Sequence, residues 1–207
     1  MKILAIGAHP DDIEYGCGGT LLNWAAKGNK IHLIVLTRGE ASGDPDVRQK
    51  EQEKSARLMK AGLFQGSFRD SRLVLDRNLI ESIEKTMSIV KPDIIFAHYF
   101  NDSHQDHRYV SQAVITATRH HRKVLFYEVP TTIDFMPTVF VDIKNVMPRK
   151  IQLLKVHKSQ MYATKPGKFN ILENARAGAI FRGFQDRVKY AEGFVPLRYS
   201  LMKNGRN

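Results

Sequence analysis

Near its start the chain reads Lys-Ile-Leu-Ala-Ile-Gly at residues 2–7 and Ala-His-Pro-Asp-Asp at residues 8–12. The first stretch is short and mostly aliphatic, a pattern typical of a strand buried on both faces of a parallel sheet. His9, Asp11 and Asp12 therefore follow the carboxyl end of that strand, the edge at which open α/β sheets bind ligands. Because an unpaired buried carboxylate loses several kcal/mol of solvation, we expect a divalent cation at this loop.

The composition is that of a globular protein with a sizeable core: 207 residues, 43% of them hydrophobic and 26% charged. We expect one domain over residues 1–207. No run reaches the roughly 20 apolar residues that a membrane span needs, and the start does not resemble a secretory signal. The single cysteine, Cys17, excludes an intramolecular disulfide. Together these features lead us to expect a cytoplasmic protein.

A formal net charge of +11 raises the question of nucleic acid binding. The basic residues are scattered, however, with mild local density only at 119–123 and 149–168, and no recognised nucleic-acid motif accompanies them. We therefore favour a solvated basic surface and expect no specific nucleic acid partner. An anionic substrate or a phospholipid surface would fit the same charge.

Hydrophobic periodicity predicts alternating strands and helices, and hence an α/β fold with a mostly parallel central sheet. The predicted strands cover 2–7, 30–37, 94–98, 123–129 and 139–143, with a final extended segment at 190–195. The predicted helices cover 20–27, 47–60, 78–90, 108–121, 149–160 and 171–181. The stretch 67–76 is ambiguous, a short strand or a loop around Asp70.

A run of glycines precedes the first predicted helix, which we expect to begin near Thr20. Gly16 and Gly18 suggest a dinucleotide-binding fingerprint, but Leu21 stands where its third small residue belongs. We interpret the glycines instead as places where the backbone passes close to a ligand or to the sheet.

A second polar cluster, Asn-Asp-Ser-His-Gln-Asp-His at residues 101–107, follows the predicted strand 94–98. Since parallel strands end at the same edge of a sheet, this cluster is expected to meet the first one. His9, Asp12 and His107 would then supply two imidazoles and a carboxylate, which suits a catalytic zinc that keeps one position open.

The polar residues of the two clusters that are not in this ligand set suggest hydrolytic chemistry at such a zinc. Asp11 could take a proton from water that the metal acidifies. His104, as an imidazolium, could stabilise the oxyanion and protonate a departing amine, and Asp106 would orient or charge-stabilise it. Arg48 lies in the first turn of a predicted helix, where it either reaches over the pocket or forms an exposed pair with Glu51.

Simpler structural roles exist for each residue taken alone. Asp11 or Asp12 could cap the helix that follows Pro10, and Asp106 could be the N-cap of the next helix. Single histidines are more often hydrogen-bonded loop or core residues than ligands. Among the remaining histidines, His32 and His157 are interpreted as structural and His120 and His121 as suited to a helix C-terminus, while His98 is undecided.

These same stretches resemble the signature of the LmbE-like, or PIG-L, zinc-dependent N-deacetylases. The similarity lies in residues 8–12 and in His-x-Asp-His at 104–107, and extends to 37–40, Arg48-x-x-Glu51, 159–160 and 190–194. Gln105 stands where the family usually has proline. The family includes the sugar deacetylases of mycothiol and bacillithiol synthesis.

The resemblance implies a Rossmann-like, three-layer α/β sandwich that removes acetyl groups from molecules containing N-acetylglucosamine. It also implies a role for each matching residue. His9, Asp12 and His107 would be zinc ligands and Asp11 the general base. His104 would stabilise the oxyanion and protonate the leaving group, Asp106 would support His104, and Arg48 would contact the substrate.

We therefore expect a zinc hydrolase that acts on a small N-acetylated amino sugar or glycoconjugate. One alternative keeps the site but cleaves a larger amide conjugate. Another is a basic nucleotide- or nucleic-acid-binding α/β protein whose acidic clusters only cap helices. The sequence leaves the oligomeric state open, and a homo-oligomer is compatible with it.

Overall fold

The structure, a computed structural model, describes residues 1–161 and 170–200. Within these ranges the strands are β1 (Lys2–Gly7), β2 (Lys30–Thr37), β3 (Gly62–Phe68), β4 (Ile94–His98), β5 (Lys123–Tyr127), β6 (Val139–Asp142) and β7 (Ala191–Tyr199). The helices are α1 (Asp12–Ala26), α2 (Pro45–Met59), α3 (Arg77–Val90), α4 (Gln105–Ala117), α5 (Met147–Val156) and α6 (Ile171–Gln185). In the described part of the chain, every helix is too short or too polar to cross a bilayer.

The strands form one sheet in the order β3-β2-β1-β4-β5-β7-β6. Strands β1 to β5 run parallel, and β7 runs antiparallel to both of its neighbours. The predicted mostly parallel sheet is thus confirmed. The chain builds outward from β1 to one side through β2 and β3, then returns to place β4 and β5 on the other side. The crevice between the carboxyl ends of β1 and β4 is therefore the switch point at which such sheets bind ligands.

Helices cover both faces of the sheet, which gives the three-layer, Rossmann-like sandwich expected from the sequence. Ile3 and Ala5 of β1 belong to one buried cluster, which contains residues of α1, α2, α5 and α6. Leu4 and Ile6 belong to the other, which contains residues of α3 and α4. Successive side chains of a strand point to opposite faces, so β1 needs apolar residues at every one of these positions.

The first helix begins much earlier than predicted. Helix α1 starts at Asp12, whereas the prediction was near Thr20, and the glycine run lies inside it. Glycine is a poor helix former, but close packing requires its lack of a side chain here. A Cβ at Gly16 would lie 2.1 Å from Cδ2 of Tyr127 on β5, so the glycines let α1 approach the sheet.

Smaller differences concern the ends of other elements. Helix α4 starts at Gln105 instead of 108, and α5 ends at Val156, followed by a 3-10 turn at Lys158–Gln160. Strand β3 (Gly62–Phe68), by contrast, was not among the predicted strands, and the ambiguous stretch 67–76 contains only its end and the loop after it.

A buried ion pair connects α1, α5 and β7. The carboxylate of Glu192 accepts hydrogen bonds from the backbone N–H groups of Gly19 (2.8 Å) and Thr20 (2.7 Å). The Lys150 ammonium donates to the same carboxylate and to the backbone carbonyl of Tyr15. Both charged side chains are almost completely buried. Each charge therefore depends on the other for compensation.

Substituting Gly16 should show how tightly α1 is packed. Gly16→Ala is expected to lower the free energy of unfolding by about 1–3 kcal/mol, because the new methyl group overlaps the Tyr127 ring. Gly18→Ala is the matched control, since the nearest atom to its Cβ, Cδ1 of Leu153, lies 3.5 Å away. There the gain in helix propensity, up to about 1 kcal/mol, should leave stability equal or higher. Urea unfolding of both variants measures the difference, and equal losses would contradict the packing argument.

A double-mutant cycle should reveal the coupling of the buried pair. Lys150→Met leaves the Glu192 carboxylate uncompensated and is expected to cost about 3–5 kcal/mol of unfolding free energy. Adding Glu192→Gln removes that charge while retaining an amide oxygen as acceptor for the α1 backbone. The double variant should therefore lose less stability than the sum of the two single variants. A strictly additive result in chemical denaturation would show that the two charges are not coupled.

Candidate metal and catalytic site

The three predicted metal ligands meet at the crevice between β1 and β4. His107 Nε2 lies 3.3 Å from His9 Nδ1 and 3.5 Å from Asp12 Oδ1, and His9 Nδ1 lies 3.5 Å from Asp12 Oδ2. One ligand atom from each residue can be chosen so that all three lie within 4.8 Å of one another. Ligand atoms about 2.1 Å from a tetrahedral zinc are about 3.4 Å apart, so the donor types and their spacing fit one Zn²⁺ with an open position.

Carboxylates stand behind both imidazoles, on the side away from this cluster. His9 Nε2 lies 3.2 Å from Asp106 Oδ2 and 3.0 Å from Asp70 Oδ1. His107 Nδ1 lies 3.2 Å from Asp102 Oδ2. A carboxylate in this place fixes the ring orientation and the tautomer, leaving the opposite nitrogen for a metal. Burial works against a charged His9 ring, yet Asp106, Asp12 and Asp70 raise its pKa well above the usual value.

Asp70 and Asp102 were not selected by the sequence reasoning. Asp102 belongs to the polar stretch after β4 and accepts from the His104 backbone N–H at 2.8 Å. Asp70 follows β3, and its N–H donates to Glu40 Oε1 at 2.9 Å. Both follow parallel strands at the edge that carries His9. The position of an aspartate shortly after each of these strands was the feature of the sequence by which Asp70 and Asp102 could have been found.

The Asp106 carboxylate makes hydrogen bonds to residues other than His104. Its carboxylate contacts His9 and the Ser71 N–H (2.8 Å), whereas the sequence suggested that it orients His104. It is not the helix cap either. His104 is the N-cap of α4, and its Nδ1 accepts from the Asp106 N–H at 3.2 Å. Once His104 occupies the cap, the Asp106 side chain in the first turn is free to face the β1 loop.

Asp12 uses its two oxygens differently. Oδ2 accepts from the His9 N–H at 2.7 Å and lies 3.1 Å from His98 Nε2, so Oδ1 is the oxygen left toward His107. Burial opposes ionisation of Asp12, but His107 and His98 lower its pKa well below the usual value.

His98, undecided from the sequence, lies beneath the cluster. It is fully buried and stacks on the His107 ring with centroids 4.0 Å apart. Burial, followed by the neighbouring His107, lowers its pKa to about 4. His98 thus packs against the His107 ring and contacts the Asp12 carboxylate from beneath the cluster.

Asp11 faces the pocket in an unusual backbone conformation. It is the N-cap of α1, with a φ of 99°, and its side chain makes no capping hydrogen bond. The capping role considered for Asp11 is therefore absent. Burial and the nearby Asp12 carboxylate raise the pKa of Asp11 to about 6. A carboxyl group without a capping bond, beside the ligand cluster, is placed to accept a proton.

Arg48 lines the pocket, but its guanidinium group is already hydrogen-bonded to other protein groups. The side chain is buried; Nη1 donates to Gly39 O (2.8 Å) and to Ser42 Oγ, and Nη2 donates to Pro10 O (3.0 Å). It thus joins the β2 loop to the β1 loop. The exposed ion pair with Glu51 is not formed, because Glu51 accepts from the Ser159 N–H and hydroxyl.

A cavity of about 320 Å³ opens above the ligand cluster. Its wall contains the predicted site residues other than Asp106. It also contains further polar and apolar residues, which are Ala41, Ser42, Asp70, Ser71, Val129, Pro130, Thr131, Gln160 and Ile171. A volume of this size accommodates a small ligand.

Residues 4–118 match the family model described as PIG-L, GlcNAc-PI de-N-acetylase. This chain belongs to the PIG-L family. The match spans both polar clusters, from His9 to His107, and confirms the resemblance seen in the sequence. The PIG-L chain is 39% identical over 171 residues to the uncharacterized deacetylase YaiS of Escherichia coli K12, covering 76% of this chain and 90% of the relative.

Solved structures agree with this assignment. The conserved protein TT1542 of Thermus thermophilus superposes with a TM-score of 0.85 at 27% identity, covering 99% of both chains. The N,N'-diacetylchitobiose deacetylase of Pyrococcus horikoshii gives a TM-score of 0.82 at 26% identity, covering 95% of this chain and 83% of the other. The PIG-L chain therefore shares fold and family with named deacetylases.

Metal binding should depend on the ligand cluster and on the carboxylates behind it. We expect the purified protein to bind one Zn²⁺ per chain in equilibrium dialysis. Asp102→Asn should weaken binding by about 10–100-fold, because His107 loses the group that orients it, and His107→Ala should weaken it further. His120→Ala, at an exposed position after α4, is the control. Unchanged zinc affinity in His107→Ala would contradict the assignment of His9, Asp12 and His107 as the ligands.

Proposed function

We propose that this PIG-L protein is a zinc-dependent hydrolase that removes the N-acetyl group from an N-acetylglucosamine-type amino sugar or its conjugate, releasing acetate and a free amine. The observation that carries the proposal is the meeting of His9, Asp12 and His107 in a pocket that also contains Asp11 and His104. The relative from Pyrococcus horikoshii, named for its action on N,N'-diacetylchitobiose, supports this substrate class.

His9, Asp12 and His107 would hold the cation. A bound zinc ion supplies Lewis acidity, which polarises a carbonyl group and acidifies water. His9, His104 and Asp106 form a second possible group of ligands. We favour the first group because His9 Nε2 already faces Asp70 and Asp106, whereas its Nδ1 faces Asp12 and His107.

Asp11 is assigned as general base. Its carboxylate accepts a proton as the oxygen of a water molecule bonds to the carbonyl carbon of the acetamide. When the C–N bond breaks, the departing nitrogen takes up that proton, and acetate and amine remain. The assignment rests on the position of Asp11 in the pocket and on the absence of a capping bond from its side chain.

His104 is assigned as the hydrogen-bond donor to the oxyanion. Because its Nδ1 accepts the Asp106 N–H, the proton of a neutral ring lies on Nε2. We therefore assign this donor role to a neutral His104 ring, in place of the imidazolium considered from the sequence. Arg48 contributes to the substrate pocket indirectly, by holding the loop of Gly39 and Ser42 against Pro10.

We also propose that residues 1–207 act as one catalytic domain in the cytoplasm.

The two rival functions differ in testable ways. An amidase for larger conjugates would prefer a longer acyl group. A nucleic-acid-binding protein is disfavoured, because the carboxylates of Asp11, Asp12 and Asp70 line the pocket and repel phosphate.

Acetate and primary amine released from N-acetylglucosamine conjugates should rise together in the zinc-loaded protein and stop on chelation. Asp11→Asn should lower kcat by about 10²–10⁴-fold, as expected for loss of a general base, while zinc binding persists. Asp186→Asn, at the residue directly after α6, is the matched control. Faster release of a larger acyl group than of acetyl would favour the amidase, and the absence of amine from either would refute the hydrolase.

A further inference from the structure

The backbone of Asp11 is held in a conformation that aspartate rarely adopts. Its φ of 99° and ψ of −23° lie in the left-handed region. Such a conformation is strained for a residue other than glycine and persists only where its surroundings hold it in place. An aspartate at an N-cap normally has an extended backbone, and its carboxylate accepts from the first-turn N–H groups. In that normal conformation the first turn of α1 would engage the Asp11 carboxylate, whereas the observed side chain makes no capping hydrogen bond.

One side chain from α2 reaches the Asp11 backbone. Gln52 is fully buried, and its Oε1 accepts from the Asp11 N–H at 3.3 Å. Its Nε2 donates to Glu14 Oε1 at 2.8 Å. The Gln52 amide therefore bridges the first turn of α1 and the residue that precedes it.

Glu14 determines which way the Gln52 amide points. Its carboxylate is fully buried and also accepts from the Ser55 hydroxyl at 2.6 Å, one turn further along α2. The same Glu14 oxygen accepts from Gln52 Nε2 and from the Ser55 hydroxyl, so the NH₂ end of Gln52 faces Glu14. The carbonyl end is then left facing the Asp11 N–H. The amide orientation thus follows from chemistry as well as from position.

We propose that Gln52 is a positioning residue: held by Glu14, it keeps the Asp11 backbone left-handed and the Asp11 carboxylate in the pocket. The proposal rests on the proposed function insofar as Asp11 is the general base. Its geometric content concerns the backbone of Asp11 and stands apart from the reaction.

Gln52→Met removes both hydrogen bonds while keeping a similar side-chain length. We expect kcat to fall by about 10–100-fold, the scale of a small misplacement of a reacting group, with KM and zinc content unchanged within about twofold. Gln49→Met is the matched control: Gln49 lies on the same helix, and among the described residues its side chain donates to Glu53, one turn along α2. The control should keep the wild-type kcat.

The Asp11→Asn background separates positioning from general loss of stability. If Gln52 acts through Asp11, Gln52→Met should lower kcat in the wild type but not further in Asp11→Asn. Its effect on unfolding free energy should be the same in both backgrounds. An equal fall of kcat in both backgrounds, or no fall in the wild type, would overturn the proposal.

A crystal structure of Gln52→Met gives a readout that needs no activity. We expect the φ of Asp11 to become negative and its carboxylate to accept from the first-turn N–H groups of α1. A φ that stays near its wild-type value would overturn the proposal, even if the protein proves inactive as a deacetylase. Should Gln52→Met fail to fold, Gln52→Leu, which likewise has no hydrogen-bonding group to offer Asp11 or Glu14, takes its place with the same two outcomes.

Discussion

The concentration of carboxylates around the carboxyl ends of β1 and β4 is the constraint on which the rest of the structure depends. The crevice collects acidic residues from the loops after β1, β3 and β4, and these are Asp11, Asp12, Asp70, Asp102 and Asp106. Such groups are costly to bury without positive charge nearby. Imidazoles supply part of the compensation, and a divalent cation bound by His9, Asp12 and His107 would supply the remainder. A cluster that is unfavourable as a purely structural feature thus becomes favourable as a binding site.

The geometry of this crevice is fixed by packing well away from it. Helix α1 carries Asp11 and Asp12 at its start, and its path is set where Gly16 touches the Tyr127 ring. The Tyr127 hydroxyl donates to the Ile6 carbonyl at 2.7 Å, close to where β1 ends. Further along α1, Glu192 binds the backbone with Lys150 as its counterion. Close packing and a buried ion pair therefore determine where the acidic loop points.

Much of the fold could be predicted from the sequence because buried parallel strands are distinctive. The stretches 2–7, 30–37 and 94–98 are aliphatic on both faces, and their bounds were predicted correctly. The start of α1 was missed because glycine predicts a loop by local propensity, and the tight contact of Gly16 with Tyr127 depends on a residue 111 positions away. Likewise, the Asp106 carboxylate contacts His9 although His104 is its neighbour in sequence, since neighbours in sequence face different directions at a helix start. The support of Asp11 by Gln52 comes from another helix and leaves no local signal.

The most direct test of this account is X-ray absorption spectroscopy of the zinc-loaded protein. The account predicts a first shell of two imidazole nitrogens, one carboxylate oxygen and at least one further oxygen, at about 2.0–2.2 Å, with one imidazole lost in His107→Ala. A first shell without imidazole, or one unaltered by His107→Ala, would contradict the central claim that the β1 and β4 loops bind one ion together.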